Sequence, residues 1–255
     1  RSTNLGQTWT KVTKRRQSPS ITAIAQDPRP GYRHIWYYAS GERFGNSASA
    51  SGAFYQGSGI FKSINSGNSF RRLKNTNDGD VTSFSSFDLI NSIAVHPHTG
   101  DVYVATFDGV FRSTNGGRSF DEVLPSAFDS ATEVIITPSG RIYATVDIFG
   151  EANAGFYYSD NGTDFVNITP ESIVPSFGRT KMAFDPSDEN RVYFFSANLG
   201  EGIEAFLWRY QDDAETPEEQ WVDLSLNLPV NIGGVAGDLD LQGTYNLVID
   251  VHPTK

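Results

Sequence analysis

An eight-residue motif that occurs in four clear copies is the feature that most constrains the fold of this 255-residue chain. Three copies read Ser-x-Asn-x-Gly-x-Ser/Thr-aromatic, at residues 2–9, 63–70 and 113–120. A fourth, at residues 158–165, begins with Tyr and has Asp in the third place, and a degenerate fifth runs from 208 to 221. Such repetition is typical of proteins built from stacked supersecondary units.

Each copy is predicted to form the turn of a β-hairpin. The Asn or Asp oxygen can accept hydrogen bonds from amides of its own turn, and Gly two residues later permits a positive φ. The closing aromatic ring is expected to return to the core. The predicted structural residues are Asn4, Gly6, Trp9, Asn65, Gly67, Phe70, Asn115, Gly117, Phe120, Asp160, Gly162 and Phe165.

The segments around these turns predict four strands per repeat, rich in Val, Ile, Tyr and Phe, with an X-Pro turn after each first strand. Four antiparallel strands repeated around a ring describe an all-β fold, a β-propeller. We expect four full blades at 21–73, 90–123, 132–168 and 179–224, and two partial blades at 1–20 and 245–255. A fragment of a larger propeller is favoured over a ring closed across the termini, a solenoid or a sandwich.

Composition excludes several classes of function. The chain has no cysteine, which excludes disulfides, thiolate zinc sites and cysteine catalysis. Its formal charge of -10 disfavours binding to nucleic acid. No run approaches the roughly 18 apolar residues of a membrane helix, so no membrane insertion is expected.

The four turns resemble the Asp-box, or bacterial neuraminidase repeat, whose usual form is Ser/Thr-x-Asp-x-Gly-x-Thr-Trp. Three copies depart from it with Asn for Asp, and three with Phe for Trp. The phrases AVHPHTGDVYVATFDGVFRSTNGGRSF and YNLVIDVHP are similar to large exported bacterial propellers of the sortilin-like and xyloglucanase-like kinds. The resemblance implies an extracellular or cell-surface location and further domains in a longer parent chain.

The loops opposite the repeat turns are the expected ligand face of such a propeller. Three of them, residues 41–58, 74–89 and 226–243, are long for loops without a role. Aromatic rings on loops can stack on sugars or anchor a protein partner, although they can also pack on their own loops. The candidate ligand-binding residues are Phe44, Phe54, Tyr55, Phe84 and Phe87.

Two aspartates are candidate catalytic residues through the xyloglucanase resemblance. There, one catalytic Asp follows a second strand in the phrase Thr-Asp-Ile-Gly-Gly, and Asp147 and Asp108 stand at matching places here. Glycosidic cleavage needs two carboxyl groups, one of them held protonated near neutral pH. An Asp at the start of a loop is also a common turn former.

One acidic loop is a candidate calcium site. Asp238 and Asp240 have the alternating oxygen ligands that calcium favours, without the full EF-hand spacing. No other cofactor is expected, and the His96-Pro-His98 segment is predicted to be a turn.

Three hypotheses for function remain open at this point. The first is a binding module for polysaccharide or protein, with no chemistry of its own. The second is a fragment of a glycoside hydrolase, and the third is a scaffold segment of a large adhesin. A sialidase is disfavoured because its usual Arg-Ile-Pro motif is absent.

Overall fold

The computed structural model describes residues 1–14, 20–43, 54–77, 79–80, 83–173, 176–229 and 246–253. Within these residues the chain forms four antiparallel sheets of four strands, and in each sheet the strands lie side by side in chain order. This is the predicted all-β propeller architecture, so the predicted fold class is confirmed.

The four sheets are named blade 1 to blade 4 in chain order. Strands β1 to β4 of blade 1 are Ile21–Gln26, Trp36–Ser40, Ile60–Ser63 and Arg71–Arg72, and β5 to β8 of blade 2 are Ile90–Val95, Val102–Thr106, Gly109–Ser113 and Asp121–Pro125. Strands β9 to β12 of blade 3 are Thr132–Ile136, Ile142–Val146, Gly155–Ser159 and Val166–Asn167, and β13 to β16 of blade 4 are Phe177–Asp185, Asp188–Asn198, Ala205–Gln211 and Trp221–Asp223.

Within the described ranges, helical structure consists of short segments outside the strands. One α-helical turn, α1 (Pro217–Gln220), lies in the insertion before β16, and five 3-10 turns lie at Lys74–Thr76, Ser86–Asp88, Ile148–Asn153, Glu171–Ile173 and Ser225–Asn227. Among the described residues, no helix has the length and apolar character needed to cross a membrane.

The second strands of the inner blades are buried along their whole length. All five residues of β6 and all five of β10 are buried, with no alternation of buried and exposed positions. A sheet that is covered on both faces gives such continuous burial. Each inner blade is therefore packed between two neighbours.

Each blade has a leading face, which is directed at the preceding blade, and a trailing face, which is directed at the following one. Ile93 and Val104, on the leading face of blade 2, share a core with Tyr37 and Ala39 on the trailing face of blade 1. The joints between blades 2 and 3 and between blades 3 and 4 have equivalent cores. The hydrophobic core of the molecule is thus a series of interfaces between sheets.

Polar side chains also link neighbouring blades. Lys62 at the end of β3 donates to the Gly116 carbonyl in the turn of blade 2, at 2.9 Å. Arg112, in the same place in blade 2, donates to the Asn161 carbonyl in the turn of blade 3, at 3.2 Å. Blades 1 and 2 therefore each bind the backbone of the next repeat turn.

Three of the repeat turns have a common hydrogen-bond geometry. The Asn115 Oδ1 atom accepts from the amides of Arg118 and Ser119 at 2.9 and 3.0 Å. The side chains of Asn4 and Asn65 accept from the amide four residues on, at 2.9 and 3.0 Å. The φ angles of Gly6, Gly67, Gly117 and Gly162 lie between +76° and +90°.

The fourth turn differs from its prediction. Its amide acceptor is Asn161, which binds the Thr163 and Asp164 amides at 2.9 Å each, while Asp160 pairs with Arg141 at 2.7 Å. This turn is one residue shorter than the others. The Ser159 hydroxyl accepts from the amide three residues later, whereas the Ser113 hydroxyl in the turn of blade 2 accepts from the amide four residues later.

The closing aromatic rings are less buried than predicted. Phe70 and Phe120 are half-buried and pack against Tyr38 and Phe87, with centroids 4.8 and 5.0 Å apart. Phe165 is also half-buried, against the core between blades 2 and 3. Trp9 contradicts its prediction, because 74% of its surface is exposed and its indole N–H donates to the carbonyl of Gly6.

Candidate functional site

The candidate site lies where the first strands of the blades begin. Strands β1, β5, β9 and β13 contact one another in order around the centre of the molecule. The loops that precede them share one face with the loops between second and third strands. We call this the loop face, and the repeat turns lie on the opposite face.

A polar cavity of about 260 Å³ opens at the centre of the loop face. Thr22, Glu42, Asn91, Arg179 and Lys181 line it, together with Ile21 and Ile90. The Asn91 side chain donates to the Thr106 carbonyl at 3.2 Å, which fixes the amide against blade 2. The cavity therefore presents charged and amide groups contributed by three blades.

An ion pair between a buried carboxylate and a half-buried ammonium group stands beside this cavity. Lys181 of blade 4 binds the carboxylate of Glu133 of blade 3. Burial raises the pKa of Glu133, although the Lys181 ammonium opposes the shift. Burial lowers the pKa of Arg179, and Glu133 opposes that shift. The pair and Arg179 thus join two blades at the cavity.

Asp147 is a buried acid at the end of β10. Only 2% of its surface is exposed, and its Oδ1 atom has no hydrogen-bond partner among the described residues. Burial raises the pKa of Asp147 to about 7, and the backbone amides of Ala131 and Phe149 oppose the shift. A carboxyl group with this pKa can hold or release a proton near neutral pH.

An ion pair between distant loops lies near Asp147. Arg43, in the loop after β2, donates two hydrogen bonds to the Asp129 carboxylate, one of them 2.7 Å long. Asp129 lies in the loop before β9 with φ of +77°, a left-handed conformation that is uncommon for a non-glycine residue. The Asp129 charge raises the pKa of Asp147 and the Arg43 charge lowers it. The structure thus brings two aspartates and an arginine together.

Asp108 stands in a different environment. The Thr106 hydroxyl donates to its Oδ1 atom at 2.6 Å, and the Ser86 hydroxyl donates to Oδ2 at 2.8 Å. One oxygen therefore holds the turn between β6 and β7, and the other joins that turn to the 3-10 turn before β5. This arrangement favours the turn-forming role for Asp108 and leaves Asp147 as the stronger candidate acid.

Four phenylalanines form an aromatic row across the loop face, defined here as Phe54, Phe84, Phe107 and Phe128. Successive ring centroids are 4.7, 6.2 and 4.8 Å apart, each pair in an edge-to-face arrangement. Phe107 is buried, whereas 65% of Phe128 and 40% of Phe54 are exposed. The row begins in a loop of blade 1 and ends beside Asp129.

The remaining predicted residues are placed as follows. Tyr55 is exposed and forms a backbone bridge with Glu42. Phe87 is not on the row, because it packs between Phe111 and Phe120 in the core between blades 1 and 2. Phe44, Asp238 and Asp240 lie outside the described residues. In the described part of the chain, no group of three or more acidic or histidine side chains is placed to hold a metal ion.

Several candidate site residues were not predicted from the sequence. Phe107, Phe128 and Phe149 stand in short loops, and only the blade topology shows that they share a face with Phe54. The pair of Arg43 with Asp129 joins residues 86 positions apart. The one available signal was the resemblance to the xyloglucanase phrase, in which an Asp follows a second strand, and it selected Asp147 together with Asp108.

Comparison with known proteins identifies similar propellers. No protein-family model matches the chain. A xyloglucanase of Hypocrea jecorina (strain QM6a) is 33% identical over 147 residues, which are 55% of this chain and 16% of that enzyme.

Two solved structures are similar in fold. The GH74 xyloglucanase from Xanthomonas campestris is 21% identical with a TM-score of 0.53, and 85% of this chain aligns with 32% of that one. The GH74 enzyme of Niastella koreensis is 22% identical with a TM-score of 0.54, and 82% of this chain aligns with 30% of that one. The chain is therefore similar to part of the β-propeller architecture of GH74 xyloglucanases.

Proposed function

We propose that this chain is part of a polysaccharide-binding β-propeller, and that its loop face binds a β-glucan such as xyloglucan. The observation that carries the proposal is the aromatic row, which offers exposed phenylalanine rings at both ends. Planar rings supply a large apolar contact area for the C–H faces of sugars, with little loss of side-chain entropy.

The shape of the row favours a polymer over a compact ligand. It extends from blade 1 to the loop before blade 3, and the exposed Phe149 lies beyond it after Asp147. An extended chain can contact several such rings in succession. The name of the similar Hypocrea jecorina protein points to xyloglucan as the polymer to test first. An extracellular location would follow from that ligand.

Replacing Phe128 tests the proposal directly. We expect Phe128→Ala to weaken binding to xyloglucan about tenfold, which corresponds to roughly 1.4 kcal/mol. Affinity electrophoresis in gels with and without xyloglucan measures the effect.

The matched control is Ile64→Ala. Ile64 is equally exposed but belongs to a repeat turn on the opposite face. Equal retardation of the two variants, or no retardation of the unsubstituted chain by xyloglucan, would contradict the proposal. Binding to a protein in place of a polysaccharide is the alternative for the same surface.

Hydrolysis is a second candidate because of Asp147. Its pKa, raised by burial to about 7, suits a general acid, and Asp129 supplies a second carboxyl group nearby. It ranks second because a general acid must contact the glycosidic oxygen, and Asp147 is buried.

New reducing ends separate the two functions. A hydrolase would release them from xyloglucan, and Asp147→Asn would abolish their release while binding persisted. If the natural polypeptide binds xyloglucan but releases no reducing ends, hydrolysis is excluded and the chain is part of a binding module.

A further inference from the structure

The central cavity of the loop face holds charged groups that the proposed function does not use. Blade 4 contributes Arg179 and Lys181 to it, and the loop after β2 contributes Glu42. Its described lining includes none of the four phenylalanines of the aromatic row. Pockets for small molecules typically measure about 300–1,000 Å³, so a cavity of about 260 Å³ suits one small chemical unit.

The part of the cavity that blade 4 contributes has a net positive charge. Arg179 and Lys181 stand two residues apart on β13 with the buried Thr180 between them, so both side chains leave the strand on the same side. Glu133 is the carboxylate that acts on both cations. One carboxylate cannot balance two cations, and burial still lowers the pKa of Arg179. An anionic group in the cavity would balance the second cation.

Two other polar groups of the cavity suit the hydroxyl groups of a ligand. The Asn91 amide nitrogen donates to the Thr106 carbonyl and the Thr132 hydroxyl, both at 3.2 Å, so the amide oxygen is the atom that can accept from a ligand. The Glu42 carboxylate accepts from the Ser20 hydroxyl at 3.1 Å, and a carboxylate offers about four lone-pair sites in all. Acceptors beside a cationic wall fit a ligand that carries both hydroxyl groups and a negative charge.

A buried hydroxyl group also belongs to the cavity lining. The Oγ1 atom of Thr22 is shielded from solvent and has no hydrogen-bond partner in the described part of the chain. Most buried polar atoms of native proteins are paired, so an unpaired one calls for an explanation. A hydroxyl group both donates and accepts, so Thr22 can bind a carboxylate oxygen or a hydroxyl group of a ligand.

We propose that this cavity binds a sugar acid such as a hexuronate. The carboxylate of the ligand binds Arg179 and Lys181, and its hydroxyl groups bind Glu42, Asn91 and Thr22. An ammonium group has three donors, so Lys181 can bind the ligand while it keeps its ion pair. A dianion is disfavoured because Glu42 would repel its second charge. The site lies apart from the aromatic row, so it does not depend on the binding of xyloglucan there.

Titration calorimetry of the natural polypeptide with glucuronate tests this proposal. Methyl glucoside is the matched neutral compound, because it keeps the ring hydroxyls without the carboxylate, and acetate has the carboxylate without the ring. We expect glucuronate to bind at least tenfold more tightly than either compound. A disaccharide that ends in glucuronate distinguishes two sources, both of which support the site. Tighter binding than glucuronate identifies the end of an acidic polysaccharide, and equal or weaker binding identifies a free sugar acid.

The variant Arg179→Gln separates a binding role from a structural one. We expect it to bind glucuronate at least tenfold more weakly, while its unfolding temperature without ligand does not fall, because Lys181 still balances Glu133. Arg71→Gln, on the exposed outer strand of blade 1, is the control and should bind as the unsubstituted polypeptide does. Thr22→Val removes only the buried hydroxyl and should weaken binding several-fold.

Three outcomes overturn the proposal. The first is the absence of glucuronate binding, and the second is binding of methyl glucoside or acetate as tightly as glucuronate, which means that carboxylate and hydroxyl groups are not both used. The third is an unchanged affinity of Arg179→Gln for glucuronate. If Arg179→Gln does not fold, Thr22→Val decides, and an unchanged affinity of that variant overturns the proposal.

Discussion

At the scale of single residues, Asp147 makes stability depend on pH. When unfolded, its carboxyl group loses its proton near the ordinary pKa of 3.8, whereas burial raises the pKa to about 7 in the folded chain. Between these values the folded state binds more protons, so raising the pH favours unfolding. The stabilising protonated form is fully present below pH 4 and is lost as the pH rises through 7.

Asp147→Asn removes this dependence. We expect the variant to gain stability relative to the unsubstituted chain between pH 4 and pH 8, by a free energy of unfolding on the order of 4 kcal/mol. Urea unfolding of both proteins at each pH unit gives the difference curve. A difference that stays constant from pH 4 to pH 8 would refute the assigned shift.

The same residue shows how far sequence reasoning reaches at a site. Asp147 could be selected through the xyloglucanase resemblance, in which a catalytic Asp follows a second strand. The burial of Asp147 could not be predicted from the sequence, because the groups that cover it come from separate loops. Asp129 and Arg43 become neighbours only when blade 1 and the loop before blade 3 are assembled.

At the scale of elements, each repeat turn has one Asn side chain that accepts hydrogen bonds from its amides. Asn115→Ala and Asn161→Ala each remove two hydrogen bonds to turn amides, so we expect each to cost about 1–2 kcal/mol of unfolding free energy. Asp160→Ala removes an exposed ion pair with Arg141 and should cost less than about 1 kcal/mol.

Equilibrium unfolding in urea, with equal slopes for all variants, measures these losses. An equal cost for Asp160→Ala and Asn161→Ala would instead support the alignment expected from the sequence, in which Asp160 is the acceptor. That alignment matched the copies of the motif at their final aromatic residue. A turn that is shorter by one residue keeps this aromatic aligned but shifts the position of the acceptor. Strand order and turn location were therefore predictable, but the acceptor in a variant turn was not.

At the scale of the whole molecule, blades 3 and 4 are joined by Glu133 and Lys181. Lys181→Met leaves a buried carboxylate without its partner, which we expect to cost about 3 kcal/mol of unfolding free energy at pH 8. The loss should shrink towards pH 4, because burial raises the pKa of Glu133 and a protonated carboxyl needs no counter-charge.

The double variant Glu133→Gln, Lys181→Met is the control for this pair. It removes both charges and should recover much of the loss at pH 8, as read from thermal unfolding at the two pH values. A loss for Lys181→Met that is the same at both pH values, or a double variant no more stable than the single one, would exclude the pair as a joint between blades.

The hydrogen bonds from Lys62 and Arg112 into the next repeat turn have an evolutionary consequence. Their acceptors are the main-chain carbonyls of Gly116 and Asn161, and every amino acid supplies such a carbonyl. The turn side chains can consequently diverge without loss of this link between one repeat and the next. A gene coding for such units can lengthen by tandem duplication, and the copies can then drift apart in sequence while the architecture persists.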